Sequence, residues 1–158
     1  MRVFRGGKHR SKTLTLLAFG SFYRRIRPRR TRRDWLSRDA SVVDAMNADE
    51  MSAFLFTLSG YIDLFTMVGR IQRRRWAYSL PKDLPVLIFS GADDPVGGYG
   101  KGVKAVYAKL KGAGLADVKL LLYPGGRHEM LNEINRMEVY EDIRQWLSHI
   151  RMRGAKNN

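Results

Sequence analysis

The sequence predicts an α/β fold, and three observations carry that reading. Residues 85–90 (Pro-Val-Leu-Ile-Phe-Ser) and 118–123 (Val-Lys-Leu-Leu-Leu-Tyr) are short apolar runs, each stopped by a cluster of Gly and Pro. Such runs suit strands that are buried on both faces. Over 101–111 and from about 135 to 149, apolar residues instead recur at three- and four-residue steps, the period of an amphipathic helix. The resulting order is β-α-β-α, and two strands joined through a helix are expected to be parallel with a right-handed crossover.

Taken in order, residues 1–13 are polar and basic and are expected to be poorly ordered. Residues 14–22 form a short apolar piece, and 24–33 an Arg-rich loop around Pro28. Asp39 is a suitable cap for a short helix over 40–46. In residues 52–71, Phe54, Leu55, Leu58, Ile62, Phe65 and Val68 follow the helical period, while Phe56, Tyr61, Leu64 and Met67 fall off that stripe. A helix apolar on more than one face is buried or faces an apolar ligand, and Gly60 is a place where it could break in two. Residues 70–76 are a second basic cluster, read as a linker with Trp76 packed down.

Residues 80–85 lead into the first strand. The loop at 91–98 needs Gly and Pro for backbone angles other residues avoid. Val103, Val106, Tyr107 and Leu110 mark one face of the next helix, and Gly112 and Gly114 end it. Ile134, Val139, Ile143, Trp146, Leu147 and Ile150 are the expected stripe of the last helix. The organisation that follows is a basic and helical part over 1–80, a β-α-β-α part over 81–150 and a tail over 151–158.

At 158 residues and 44% apolar, the chain suits one domain with an ordinary core. The sequence has no apolar stretch long enough to predict a transmembrane helix, and residues 14–19 are too short and too soon followed by Arg24 and Arg25 for a signal peptide. With no cysteine, disulfides, thiolate catalysis and a Cys-based zinc site are excluded. That composition suits a cytoplasmic, or peripherally membrane-associated, protein. Of the net charge of +14, residues 1–40 carry +11, thirteen basic side chains against two acids, which leaves +3 for the rest. A local basic block attracts anionic lipid or nucleic acid, although a solvated face is the commoner role for such a run.

In open parallel sheets, chemistry gathers beyond the carboxyl ends of the strands. Asp93 and Asp94 follow the first strand, and Pro124-Gly125-Gly126-Arg127-His128 follows the second. An imidazole titrates near neutrality, and an acid that orients it makes half of a nucleophilic triad. His9 and His149 have no such context. Glu129 and Glu133 read as carboxylates at the start of a helix.

Residues 84–96 (Leu-Pro-Val-Leu-Ile-Phe-Ser-Gly-Ala-Asp-Asp-Pro-Val) and 123–133 (Tyr-Pro-Gly-Gly-Arg-His-Glu-Met-Leu-Asn-Glu), with 19–22 and 32–39 upstream, resemble an α/β-hydrolase of the monoacylglycerol lipase/lysophospholipase type, also described as serine aminopeptidase S33-like. The resemblance runs over roughly residues 6–150. It implies the C-terminal portion of an α/β-hydrolase fold, a helical cap plus the last two parallel strands and their helices, with the N-terminal half missing. It makes Asp94, rather than Asp93, the triad acid and His128 the base, with no cofactor and no metal. It makes residues 52–71 part of a lid, with Phe54, Leu58 and Phe65 as candidates to touch a lipid-like ester.

The family carries its serine on a G-x-S-x-G elbow, and no such pattern occurs in this sequence. The expectation is a chain that begins after the elbow and is inactive alone; either a partner supplies the missing half and covers the bare strand edges, or the chain is a poorly stable, aggregation-prone fragment. The alternative is a basic module that binds anionic lipid or, less favoured, nucleic acid on a hydrolase remnant. The long residue-by-residue match favours the hydrolase.

Overall fold

The computed structural model describes residues 6–52 and 54–156. In chain order the helices are α1 (Lys12–Phe19), α2 (Ala40–Ala48), α3 (Leu58–Ile71), α4 (Lys101–Gly112) and α5 (Arg136–Lys156). The strands are β1 (Val86–Gly91), before α4, and β2 (Val118–Tyr123), after it; single 3-10 turns lie at Glu50–Ser52, Arg74–Ser79 and Met130–Asn132. β1 and β2 pair in parallel, in a register that sets Val86 beside Val118 and Gly91 beside Tyr123. Among the described residues no helix is long and apolar enough to cross a membrane.

The two faces of the sheet build two separate cores, as the alternation of side chains along a strand requires. Val86, Ile88 and Val118 pack with Trp76, Leu80, Ala77, Leu110, Ala113 and Leu115 on the α4 side. Phe89 and Leu121 pack with Tyr123, Met130, Val139 and Ile143 on the α5 side. Trp76 is therefore packed down, with the Lys109 ammonium 5.6 Å from its ring centre. The sheet has only these two strands among the described residues, and most of their side chains are only half-buried.

Three helices start where a side chain takes up an otherwise unpaired backbone N–H. Ser11 Oγ accepts from Leu14 N–H (3.3 Å), Asp39 Oδ1 from Ser41 N–H (3.0 Å) and Thr57 Oγ1 from Gly60 N–H (3.1 Å). Thr57 is the reason α3 begins at Leu58 and not at residue 52: residues 54–56 before it are irregular, and Gly60 lies inside the first turn without breaking the helix. α5 runs on to Lys156, beyond the expected end at residue 149, and two members of its expected stripe, Ile134 and Leu147, are exposed.

The expectation of a poorly ordered N-terminus is corrected for residues 6–13; residues 1–5 lie outside the described part. Gly7 and His9 carbonyls accept from Ser59 N–H (3.0 Å) and Leu58 N–H (2.9 Å), and Arg10 bridges Thr57 in antiparallel fashion. Backbone pairing thus ties a polar segment down where no apolar residue could have announced it. Tyr61 Oη then joins α3 to α1 through Thr15 Oγ1 (2.8 Å). The Arg-rich stretch is irregular, as its composition predicts, but is held at one end by an Arg30–Asp44 ion pair to α2 (2.8 Å).

Candidate active site

The loops that follow β1 and β2 meet because the parallel register brings both strand ends to one edge. Their contact is close. Ala92 N–H donates to Tyr123 O and Asp93 N–H to Gly126 O, both at 2.9 Å. Gly91 is required for this approach: a Cβ there would lie 2.1 Å from Gly126 O and 2.2 Å from Arg127 O. The limit at Gly126 is milder, since a Cβ there would lie 2.7 Å from the sulfur of the flexible Met130 side chain and 3.2 Å from Gly91 Cα.

Asp94 and His128 come together at this junction. Asp94 is 5% exposed, while Asp93, next to it, points to solvent. Asp94 Oδ1 accepts from Val96 N–H (2.8 Å), and its own carbonyl accepts from Tyr99 N–H (2.8 Å), so the carboxylate is fixed by its own loop. Oδ2 lies 3.1 Å from His128 Nδ1. A carboxylate only accepts, so Nδ1 carries the proton and Nε2 is the free lone pair of the neutral ring. The hydrogen bond to Asp94 raises the His128 pKa above its ordinary value, and partial burial opposes the shift. The imidazole keeps 38% of its side-chain surface exposed, so a second reactant can reach it.

Three residues that sequence reasoning left without a role hold His128 in place. Trp35 lies with its ring centre 5.1 Å from the imidazole, and its carbonyl accepts from His128 N–H (3.3 Å). Arg127 Nη1 donates to Asp34 O (2.5 Å) and Ser37 O (2.9 Å). Glu133, read from the sequence as a carboxylate at the start of a helix, lies just before α5 and is fully buried. It accepts from Arg127 N–H (2.9 Å), Ile134 N–H (3.0 Å), Arg38 N–H (3.1 Å) and Arg38 Nε (3.0 Å). That burial is not legible locally, because its partner Arg38 lies 95 residues away in sequence, beyond the reach of any local pattern. Only its place in the Arg-His-Glu-x-x-x-Glu match singled it out.

A cavity of about 520 Å³ opens beside Trp35, walled by Leu16, Phe19, Phe54, Phe56 and Tyr61. Of the three lid candidates, Phe54 stands on this wall. Leu58 is buried at the start of α3, and Phe65 is exposed with its ring stacked on Tyr61 (6.0 Å); neither lines the cavity. Arg33 stands at the rim and is tied to the carbonyls of Met46 and Ser52 (2.7 Å for the latter). Among the described residues no cluster of three or more His, Cys, Asp or Glu could hold a metal ion.

Three solved structures share this architecture. A highly thermostable carboxyl esterase from Bacillus coagulans, in complex with glycerol, superposes with a TM-score of 0.84 at 31% identity, over 94% of this chain and 49% of that one. A lipase in its open form gives a TM-score of 0.83 at 25% identity, over 94% and 48%. A soluble variant of monoglyceride lipase from Saccharomyces cerevisiae, with a substrate analogue, shares the fold at a TM-score of 0.57 and 23% identity, over 87% and 48%. The chain thus spans about half the length of the structures it matches. The family model of serine aminopeptidase S33 matches residues 5–135. With the helices, the parallel strand pair and the two strand-end loops in the arrangement of these hydrolases, the chain belongs to the serine aminopeptidase S33 family of α/β-hydrolases.

Proposed function

We propose that this chain carries the acid and the base of a serine hydrolase that cleaves carboxylic esters of lipid-like molecules, of the monoacylglycerol or lysophospholipid kind. Asp94 is the acid and His128 the base. The observation that carries this reading is the 3.1 Å contact between Asp94 Oδ2 and His128 Nδ1 beyond the ends of neighbouring parallel strands. Similarity to a carboxyl esterase and a lipase supports it, as does the cavity beside Trp35, whose aromatic and aliphatic wall suits an acyl chain and which Lys12, Arg32 and Arg33 also line.

In this reading the serine comes from a companion segment that also pairs with the open strand edges. His128 Nε2 takes the serine hydroxyl proton as its oxygen bonds to the ester carbonyl carbon. The ester C–O bond then breaks, and the same proton passes from Nε2 to the departing alkoxide oxygen. Water attacks the acyl-serine, Nε2 takes a water proton, and the C–O bond to serine breaks as that proton returns to its oxygen, leaving free acid. Asp94 holds Nδ1–H throughout, which orients the ring and favours the imidazolium each time it forms.

The test is to pair the chain, by co-expression or fusion, with the N-terminal half of a related esterase and to follow hydrolysis of a short-chain monoacylglycerol. The unpaired chain is expected to be inactive. The paired protein is expected to hydrolyse the ester and to lose at least about a thousandfold in kcat on His128→Ala. Undiminished activity in that variant would overturn the assignment.

A further inference from the structure

A second cavity, of about 410 Å³, is lined by Arg25, Ile26, Arg27, Arg38, Asp93, Tyr99, Gly125 and Arg127. Four arginines therefore line it from three parts of the chain: the Arg-rich loop, the segment before α2 and the turn before His128. Arg38 is ion-paired with buried Glu133, and Arg127 feels the Asp34 carboxylate at longer range. Among the described residues Arg25, Arg27 and Arg127 make no ion pair, and Asp93 is the one carboxylate on the wall.

Much of the donor capacity is unspent. A guanidinium presents five N–H groups. Arg127 uses Nη1 on the carbonyls of Asp34 and Ser37, and Arg27 uses Nη1 on those of Arg24 and Ile26. Arg38 uses Nε and Nη2 on Glu133 and Asn135, which leaves its Nη1 beside Gly125. Arg25 makes no hydrogen bond among the described residues, and its guanidinium rests over the Tyr99 ring, 4.5 Å from the centre.

The floor is also strained. Gly98, Tyr99 and Gly100 all have positive φ (62°, 56° and 78°). A glycine adopts such an angle freely, whereas a bulky residue such as tyrosine does so at a cost that the surroundings must offset. Here the strained residue is the one that presents its ring beneath Arg25. Like charges gathered in a cavity repel one another, and fixed backbone strain adds to that cost. The repulsion is relieved when a multivalent anion accepts the free N–H groups.

We propose that this cavity is a binding site for a phosphate group, carried by a small soluble molecule or by the headgroup of a phosphorylated lipid. Planar guanidinium forks match the oxygens of phosphate in pairs, and a compact anion fits a concave site of this size. A nucleic-acid backbone, with its phosphates in a row, is better served by an extended groove. Asp93 and Arg127, chain neighbours of the carboxylate and the imidazole, stand on the wall, but neither Asp94 nor His128 lines the cavity, and the proposal stands or falls apart from the hydrolase reading because no ester cleavage is read in its test.

The experiment titrates the full chain with inorganic phosphate, then with glycerol 3-phosphate, by calorimetry at constant ionic strength. Vesicles of phosphatidylcholine, with and without phosphatidic acid, follow by co-sedimentation. Saturable binding of one phosphate per chain is expected, weakened at least about tenfold by Arg25→Gln with Arg27→Gln. The same loss of charge at Arg70→Gln with Arg73→Gln, in the other basic cluster, is expected to leave it unchanged. Retention on phosphatidic acid vesicles that needs Arg25 and Arg27 assigns the source to a lipid headgroup; binding of the soluble phosphates alone assigns it to a small molecule. Should the double variant fail to fold, Arg25→Gln alone is expected to weaken phosphate binding at least about threefold. Absence of saturable binding, equal loss in both double variants, an unchanged affinity in Arg25→Gln, or binding of single-stranded RNA without binding of phosphate would each overturn the proposal.

Discussion

Removing the Glu133 carboxylate is expected to be among the most damaging single changes to this chain. Glu133→Ala deletes the acceptor of four hydrogen bonds and the counter-charge of Arg38, all at a fully buried position. Breaking a buried ion pair by removing one partner costs about 3–5 kcal/mol. The Arg38 side chain keeps 27% of its surface exposed, so water can recover part of its solvation and the loss falls toward the lower end of that range. Against this, the N–H of Arg127 is left without its acceptor, and an orphaned buried donor costs about 1–3 kcal/mol. A total of about 4–6 kcal/mol follows, equivalent to a fall in Tm of roughly 8–24 °C for a chain of this length. Glu133→Gln keeps the shape and one acceptor oxygen and should lose about 1–2 kcal/mol. Urea unfolding followed by circular dichroism measures both, with the slope held constant as the check that only stability has changed. A loss below about 1 kcal/mol for Glu133→Ala would refute the view that this carboxylate fastens the His128 loop to residues 34–38.

Other expectations follow from the same contacts. Gly91→Ala drives a Cβ against two backbone carbonyls and should cost at least about 3 kcal/mol, whereas Gly112→Ala, with open space around it, should be neutral or stabilise by up to about 1 kcal/mol; melting curves of the two variants separate a steric cause from a general glycine effect. Because Asp94 raises the His128 pKa, protonated His128 stabilises the folded state below the ordinary histidine value near ~6.5, and this contribution is lost as pH rises through the raised folded value. Asp94→Asn should lower the His128 pKa, read by NMR titration of its ring protons, and should remove that part of the pH dependence; an unmoved pKa would contradict the hydrogen bond. Tyr123 Oη donates to Asp142 (2.7 Å), so Tyr123→Phe should cost about 0.5–1.5 kcal/mol, measurable by the same unfolding assay.

The sequence by itself determined the local elements and their order. Two apolar runs ending at Gly and Pro mark β1 and β2 to within a residue or so, and the Asp39 cap and the helical period over 101–111 mark α2 and α4, because caps and periodicity act within a few residues of chain. It also set two complementary side chains, Asp94 and His128, just past two strand ends. Tertiary structure decided the rest. The parallel register brought those ends to one edge, and the Gly91–Gly126 approach closed the gap to 3.1 Å. Burial of Glu133 against Arg38, the wall of Trp35 and Phe54 and not Leu58 or Phe65, and the gathering of Arg25, Arg38 and Arg127 around one cavity all join residues far apart in sequence. A local pattern records what a residue prefers among its neighbours in the chain. Which distant surface meets it, and hence whether a carboxylate is solvated or buried against a guanidinium, is settled only when the surfaces pack.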